Sequence, residues 1–221
     1  MENRKLFLPI TGLFVSTLLI SNTLDTKIFT AFGLDLPAGI ILFPLAYVFG
    51  DVLTEVYGYA ASRRTIWTGF ACLLLMVVSY EIARALPPAD NWTNQPAFDS
   101  VFSHVPRIVL ASIAAYLCGE FVNSYIVARM KVSQEGRNMA LRFVASTIAG
   151  QAVDTTIFVL IAFTGVLPTA ALLPIILSAW AVKVGWEVIA LPVTISVVRK
   201  IKQIEHEDHY DRNTPFTPFK L

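Results

Sequence analysis

The stretch FPLAYVFGDVLTEVYGY, residues 43–59, is greasy enough for a bilayer, yet it carries two carboxylates, Asp51 and Glu55, one helical turn apart. A second stretch, AYLCGEFVNSY at 115–125, repeats its opening Ala-Tyr-x-x-Gly-acid. An Asp at the centre of a spanning helix costs about 2.5–3.5 kcal/mol on insertion scales. Acids placed in such segments must face a protein interior or water. The two stretches therefore predict membrane helices with polar inner faces.

Composition agrees with that reading. The chain has 221 residues, 55% hydrophobic and 15% charged, where a soluble domain carries about 25% charged residues. Its mean hydropathy is +0.62. A net charge of +1 implies no nucleic-acid partner. Cys72 and Cys118 both sit in apolar runs and read as small hydrophobes, with no disulfide or metal site. The start, MENRKLFLPITGLFVSTLLI, is basic and then apolar, and it reads as an uncleaved first span.

A spanning helix needs about 20 mostly apolar residues. Six stretches qualify, at about 6–24, 38–57, 65–84, 107–129, 143–165 and 173–198. The sequence thus predicts an all-α integral membrane protein, a six-transmembrane-helix bundle forming one domain over 1–221, with a C-terminal tail at 199–221. Thirteen Lys and Arg residues fall on one side of these spans and three on the other. Basic loops stay cytoplasmic, so both termini are expected inside. The outward segment 85–106 contains four prolines and reads either as a lid or as an aromatic interface anchor.

Residues three and four apart share a helix face. Tyr47, Asp51 and Glu55 form one stripe; Tyr116, Glu120, Asn123 and Ser124 form a second. Gln151, Asp154 and Thr155 form a third, and Trp180, Lys183 and Glu187 a fourth. Stripes at matching depth can line one pocket, with the tyrosines as walls and the glycines before the acids allowing close helix approach. Lys183 can pair along its own helix with Glu187 or across to Asp154, and both pairings stay open. The run Glu205–Asp211 reads as a solvated extension of the last helix, with metal binding the lesser alternative. No phosphate loop, His-Glu-x-x-His or Gly-x-Ser-x-Gly motif is present, so neither ATP hydrolysis nor enzymatic catalysis is expected, and no cofactor.

The segments FPLAYVFGDVLTEVYGY, PRIVLASIAAYLCGEFVNSYIVARMK, RFVASTIAGQAVDTTIFVLIAF, WAVKVGWEVIALPVTISVV and DHYDRNTPFTPF together resemble the queuosine-precursor transporter family, also called the vitamin uptake transporter family. The resemblance runs from about Asn22 to Phe219. It implies a fold like the six-helix substrate-binding subunits of energy-coupling-factor importers. It also implies import of 7-cyano-7-deazaguanine and 7-aminomethyl-7-deazaguanine across a bacterial inner membrane, and it leaves a homodimer open. Such a base offers a ring N–H and an amino group side by side, which one carboxylate accepts together. Its flat ring stacks on aromatics, for which Tyr47, Tyr116, Phe158, Trp180 and Trp186 are candidates. Glu120 and Asp154 are expected to hold the donor edge, with Asp51 and Glu55 nearer the cytoplasmic exit. Asn123, Ser124 and Gln151 would serve the acceptor groups. The main rival is a binding subunit that depends on a separate ATP-driven motor. An intramembrane enzyme and a scaffold with structural acids are further rivals.

Overall fold

Apolar runs inside a bilayer become helices because a helix satisfies its own backbone N–H and C=O groups without water. The computed structural model of the chain describes residues 4–24, 26–31, 34–102 and 106–219. Helix α1 (Phe7–Leu24) leads into an antiparallel hairpin of β1 (Ile28–Ala31) and β2 (Leu34–Pro37), in which Ile28 lies opposite Pro37. One turn of 3-10 helix, Ala38–Ile41, follows. Then come α2 (Phe43–Tyr57), α3 (Tyr59–Ala85), the short α4 (Gln95–Phe102), α5 (Pro106–Ser133), α6 (Met139–Phe163) and α7 (Thr169–Glu205).

Among the described residues, five helices are long and apolar enough to cross a membrane: α1, α3, α5, α6 and α7. Their outward faces carry Leu75, Ile82, Leu110, Leu173 and Ile189, all largely exposed, as a lipid-facing belt requires. The expected span at 38–57 is shorter in the structure. Pro44 sits in the first turn of α2 and Gly58 ends it after 15 residues, a rise of about 22 Å against a hydrocarbon core of about 30 Å. Helix α2 tolerates this because it runs through the middle of the bundle, packed on α1, α3, α5 and α7. Every residue from Asp51 to Tyr57 is buried. The hairpin and α4 are further elements that the apolar pattern did not predict.

The interior is polar where a soluble protein would be greasy. Thr54, Ser62, Asn123, Ser124, Arg142, Ser146, Thr147, Gln151 and Thr155 are all buried alongside the acids. An apolar cluster of Phe14, Val52, Leu53, Val56, Tyr57, Ile66 and Phe143 packs α2 against its neighbours. Helices α5 and α6 approach most closely where two glycines meet. A Cβ on Gly119 would lie 2.8 Å from Asp154 Cβ, and one on Gly150 would lie 3.1 Å from the Gly119 carbonyl oxygen.

Both chain ends lie at the same end of the bundle. Arg4 pairs with Glu207 at 2.5 Å, and the Leu6 amide donates to Glu205. The segment after α7 is not the solvated extension expected of it. Residue His206 turns the chain with φ 51°, and the strap 207–219 folds back over α2, α3 and α5. The His209 amide donates to the Val56 carbonyl at 3.0 Å, and the Asp211 carboxylate accepts from the Tyr59 amide at 2.9 Å. Arg63 donates to the carbonyls of Pro215 and Thr217, and Trp67 to that of Pro218. Phe216 packs on Tyr59 and Tyr125. The strap crosses the α2–α3 corner at Gly58, whose φ of 85° favours glycine and whose missing Cβ would sit 2.2 Å from the His209 ring. Hydrogen bonds to α2 and α3 and the packing of Phe216 hold this segment down.

At the opposite end, α4 folds against α3. Phe102 packs on Tyr80 and Phe98, and Arg84 reaches Asp99 at 3.6 Å. Residues 103–105 of the expected lid segment lie outside the described residues, and so does Lys220 of the basic count.

Candidate substrate site

Helical spacing sets which side chains can meet, and packing decides which of them do. Asp51 on α2, Glu120 on α5, Asp154 on α6 and Glu187 on α7 all lie within electrostatic reach of the Tyr47 hydroxyl. Glu120 and Glu187 are likewise within reach of Asp51, and Asp154 and Glu187 of Glu120. Four helices thus bring four carboxylates to one place. Gly50 makes room there: a Cβ on it would sit 3.3 Å from Glu120 Oε2.

The bonds inside this group are few. Asn123 donates through Nδ2 to Asp51 Oδ1 at 3.2 Å. Lys183 pairs with Asp154 at 2.6 Å, so of its two open pairings the cross-helix one is formed. Thr147 bonds Glu187 through one carboxylate oxygen. What remains is unusual for a packed interior, where nearly all buried polar atoms find partners. Glu120 Oε2, Asn123 Oδ1, Gln151 Oε1, Thr155 Oγ1 and Glu187 Oε2 are buried with no hydrogen-bond partner among the described residues. Each such atom costs about 1–3 kcal/mol of desolvation unless something fills the role of water.

Glu55 has a different fate, although it lies one turn from Asp51. Its carboxylate takes a bidentate grip from Arg142, with Nε and one terminal nitrogen both at 2.7 Å. Lys202 on α7 reaches the same carboxylate at 2.5 Å and Lys131 on α5 lies at 3.6 Å. Asp208 of the strap then bridges Lys131 at 2.5 Å and Lys202 at 2.7 Å. Burial alone would push the Asp208 carboxyl up, but the hydrogen bonds from Lys131 and Lys202 outweigh it and hold it below the usual carboxylate range. This group ties α2, α5, α6, α7 and the strap together at the end that holds both termini.

The other expected site residues divide between positions near the acids and positions spent on helix packing. Gln151 is buried on α6, one turn from Asp154. The Ser124 hydroxyl bonds Thr54 at 3.1 Å and Ser62 at 2.9 Å, closing a hydroxyl trio between α2, α3 and α5. Tyr116 donates to the Ile66 carbonyl at 3.1 Å and pins α5 to α3. Trp180 donates to the Ile148 carbonyl at 3.0 Å and pins α7 to α6. Phe158 packs edge-on against Phe163, and Trp186 faces outward. Of the aromatic candidates, Tyr47 is the one placed among the four carboxylates. Asn22 bonds back to the Leu18 carbonyl and lines a cavity of about 20 Å³ with Leu73, Tyr80 and Phe102 toward the α4 end.

Two groups of residues escaped the sequence reading. Arg142, Lys131 and Lys202 counted there only as flanking positive charge, whereas Arg142 and Lys131 are among the most deeply buried side chains. Arg142 opens an apolar run without a polar neighbour, and that is the signal a closer reading could use. Thr147 looks like an ordinary helix threonine in sequence, and only the packing of α6 on α7 brings it to Glu187.

Residues 37–197 match the family described as "Putative vitamin uptake transporter". The chain is 29% identical over 198 residues to the "Probable queuosine precursor transporter" of Bacillus subtilis (strain 168), covering 88% of this chain and 86% of that one. It is 30% identical over 126 residues to the "Queuosine precursor transporter" of Escherichia coli (strain K12), covering 57% of this chain and 54% of that one. No solved structure matches the chain. The matched region holds all four central carboxylates, Lys183 and the unpartnered amides, and the chain belongs to the vitamin uptake transporter family.

Proposed function

We propose that this chain carries queuosine precursors, 7-deazaguanine bases, across a bacterial inner membrane, and that it binds them at the central group of acids. The observation that carries the reading is the set of five buried polar atoms without partners on α5, α6 and α7. Lone unpaired atoms occur in packed proteins, but three of these, on Glu120, Asn123 and Glu187, belong to one set of carboxylates and fit a place for a guest rich in hydrogen-bonding groups. The names of the two relatives point to the same class of guest. Glu120, Asn123, Gln151 and Glu187 would meet the base, Asp51 would be held in place by Asn123, and Tyr47 would lie against the ring.

In this proposal α2 completes a six-span bundle after the pattern of the energy-coupling-factor binding subunits, with both termini cytoplasmic. The excess of Lys and Arg on the side of the termini supports that orientation. The pairing of Asp154 with Lys183 and the capture of Glu55 by Arg142 support roles for those acids in holding the helices. Uptake of a radiolabelled base by cells unable to make the precursor tests the site: Glu120→Gln should abolish uptake while leaving the amount of folded protein unchanged. Uptake at the native rate by that variant overturns the assignment. Transport by the purified chain in liposomes separates a self-sufficient carrier from a binding subunit that needs an ATP-driven partner.

A further inference from the structure

The chemistry of the unpartnered atoms says more than that a polar guest is bound. In one of them the acceptor role is fixed, and in two more it is fixed whenever the carboxylate is ionised. Asn123 donates its amide N–H to Asp51, so its Oδ1 can only accept. Glu187 has one oxygen engaged by Thr147 and the other unpartnered. Glu120 presents Oε2 unpartnered, and the side chain is more than nine-tenths buried. The other two, on Gln151 and Thr155, are adaptable, since an amide can turn and a hydroxyl can rotate. The group thus presents acceptors to a guest rich in N–H donors.

Charge points the same way. Four carboxylates converge here, and Lys183, the cation among them, is paired with Asp154 at 2.6 Å. The other buried cations nearby are committed elsewhere: Arg142, Lys131 and Lys202 are all held by Glu55, the two lysines also by Asp208. A cation entering the group meets Glu120, Glu187 and Asp51 with no free positive charge from these residues to oppose it. A nitrile, which only accepts, must turn to adaptable donors such as the Gln151 amide, whereas an ammonium meets carboxylate oxygens directly.

We infer that the central site selects a cationic, donor-rich heterocycle: a deazaguanine bearing a primary ammonium in preference to its neutral nitrile counterpart. Glu120 and Asn123, on one face of α5, take the N–H edge of the ring, and Glu187 on α7 takes the ammonium. The inference rests on the central group being the substrate site, and the experiment separates the two. The purified chain in detergent is titrated with 7-aminomethyl-7-deazaguanine, with 7-cyano-7-deazaguanine and with the neutral, similarly sized 7-hydroxymethyl compound, and binding is read by calorimetry and by the rise in melting temperature.

The expected result is that the aminomethyl base binds about tenfold or more tightly than either neutral base, the difference made by one charge-assisted contact. Glu187→Gln should lower the affinity for the aminomethyl base to that of the hydroxymethyl base measured on the same variant. Equal or tighter binding of the nitrile by the native chain overturns the inference and leaves the transport reading standing. A preference that survives Glu187→Gln overturns the assignment to Glu187. Binding of none of the three bases overturns the transport reading itself. The comparison with the hydroxymethyl base uses the native chain alone, so it decides the matter even where the variant fails to fold.

Discussion

Asp51 and Glu55 have similar chemistry and stand on the same helix one turn apart, yet the structure treats them oppositely. Glu55 is clasped by Arg142 at two points, joined by Lys202 and Lys131, and closed over by Asp208 from the strap. Asp51 has one bond among the described residues, from Asn123, and lies within electrostatic reach of Glu120 and Glu187, each with an oxygen that has no partner among those residues. A carboxylate in hydrocarbon must be compensated. In one place the chain supplies the compensation itself; in the other, the proposed substrate site, it leaves carboxylate oxygens open. The completeness of the bonding, rather than burial or charge alone, separates an acid that holds the fold from one that serves a site.

That contrast breaks most visibly at Arg142. Arg142→Met leaves the Glu55 carboxylate without its bidentate partner, and losing one member of a buried pair costs about 3–5 kcal/mol. The expected outcome is a sharp fall in melting temperature and in membrane yield, read by thermal unfolding in detergent; an unchanged melting point would erase the distinction between the two groups. Glu120→Gln should do the reverse. Its carboxylate lacks a partner on Oε2, so melting is expected to hold while base uptake falls by about tenfold or more. A variant that loses stability and uptake in proportion would place Glu120 with Glu55.

Smaller effects sharpen the picture at the strap. Gly58→Ala sets a side chain into a left-handed backbone, at about 1–2 kcal/mol, and into the space of the His209 ring. Faster protease cleavage within 207–219 is the expected readout, with slower or unchanged cleavage counting against a docked strap. The smallest effect belongs to Asp208, whose carboxyl is held below its ordinary range in the fold and is partly exposed. Its contribution is present above the unfolded value near about 3.9 and disappears as pH falls through the lower folded value. Melting temperature should therefore show an acid limb below about pH 4 that Asp208→Asn makes shallower, with little change between neutral pH and the unfolded value.

Much of the central group was legible before any coordinates. Stripe spacing placed Asp51, Glu120, Asp154 and Glu187 on inward faces, because acids that cannot face lipid have few other directions. The Asp154–Lys183 pair was one of two readings for the same reason. The fate of Glu55 was hidden because its partner stands 87 residues away and resembles the loop arginines that orient a span. Tyr116 and Trp180 misled because an aromatic with a polar tip serves a carbonyl on a neighbouring helix as readily as it serves a ligand. The hairpin at 28–37 was lost between two apolar runs, and the length of α2 was overestimated because hydropathy cannot tell a helix sheathed by protein from one facing lipid.

The glycine contact between α5 and α6 has a mechanical consequence. With Gly119 and Gly150 set against each other's backbones, and with the side chains of Asp154 and Asn123 filling the adjacent space, the two helices are keyed and cannot ratchet past one another without collision. They carry Glu120, Asn123, Gln151 and Asp154 as a single rocker. Helix α7 is less constrained: Pro192, between Glu187 and the anchoring Lys202, removes one backbone hydrogen bond from it.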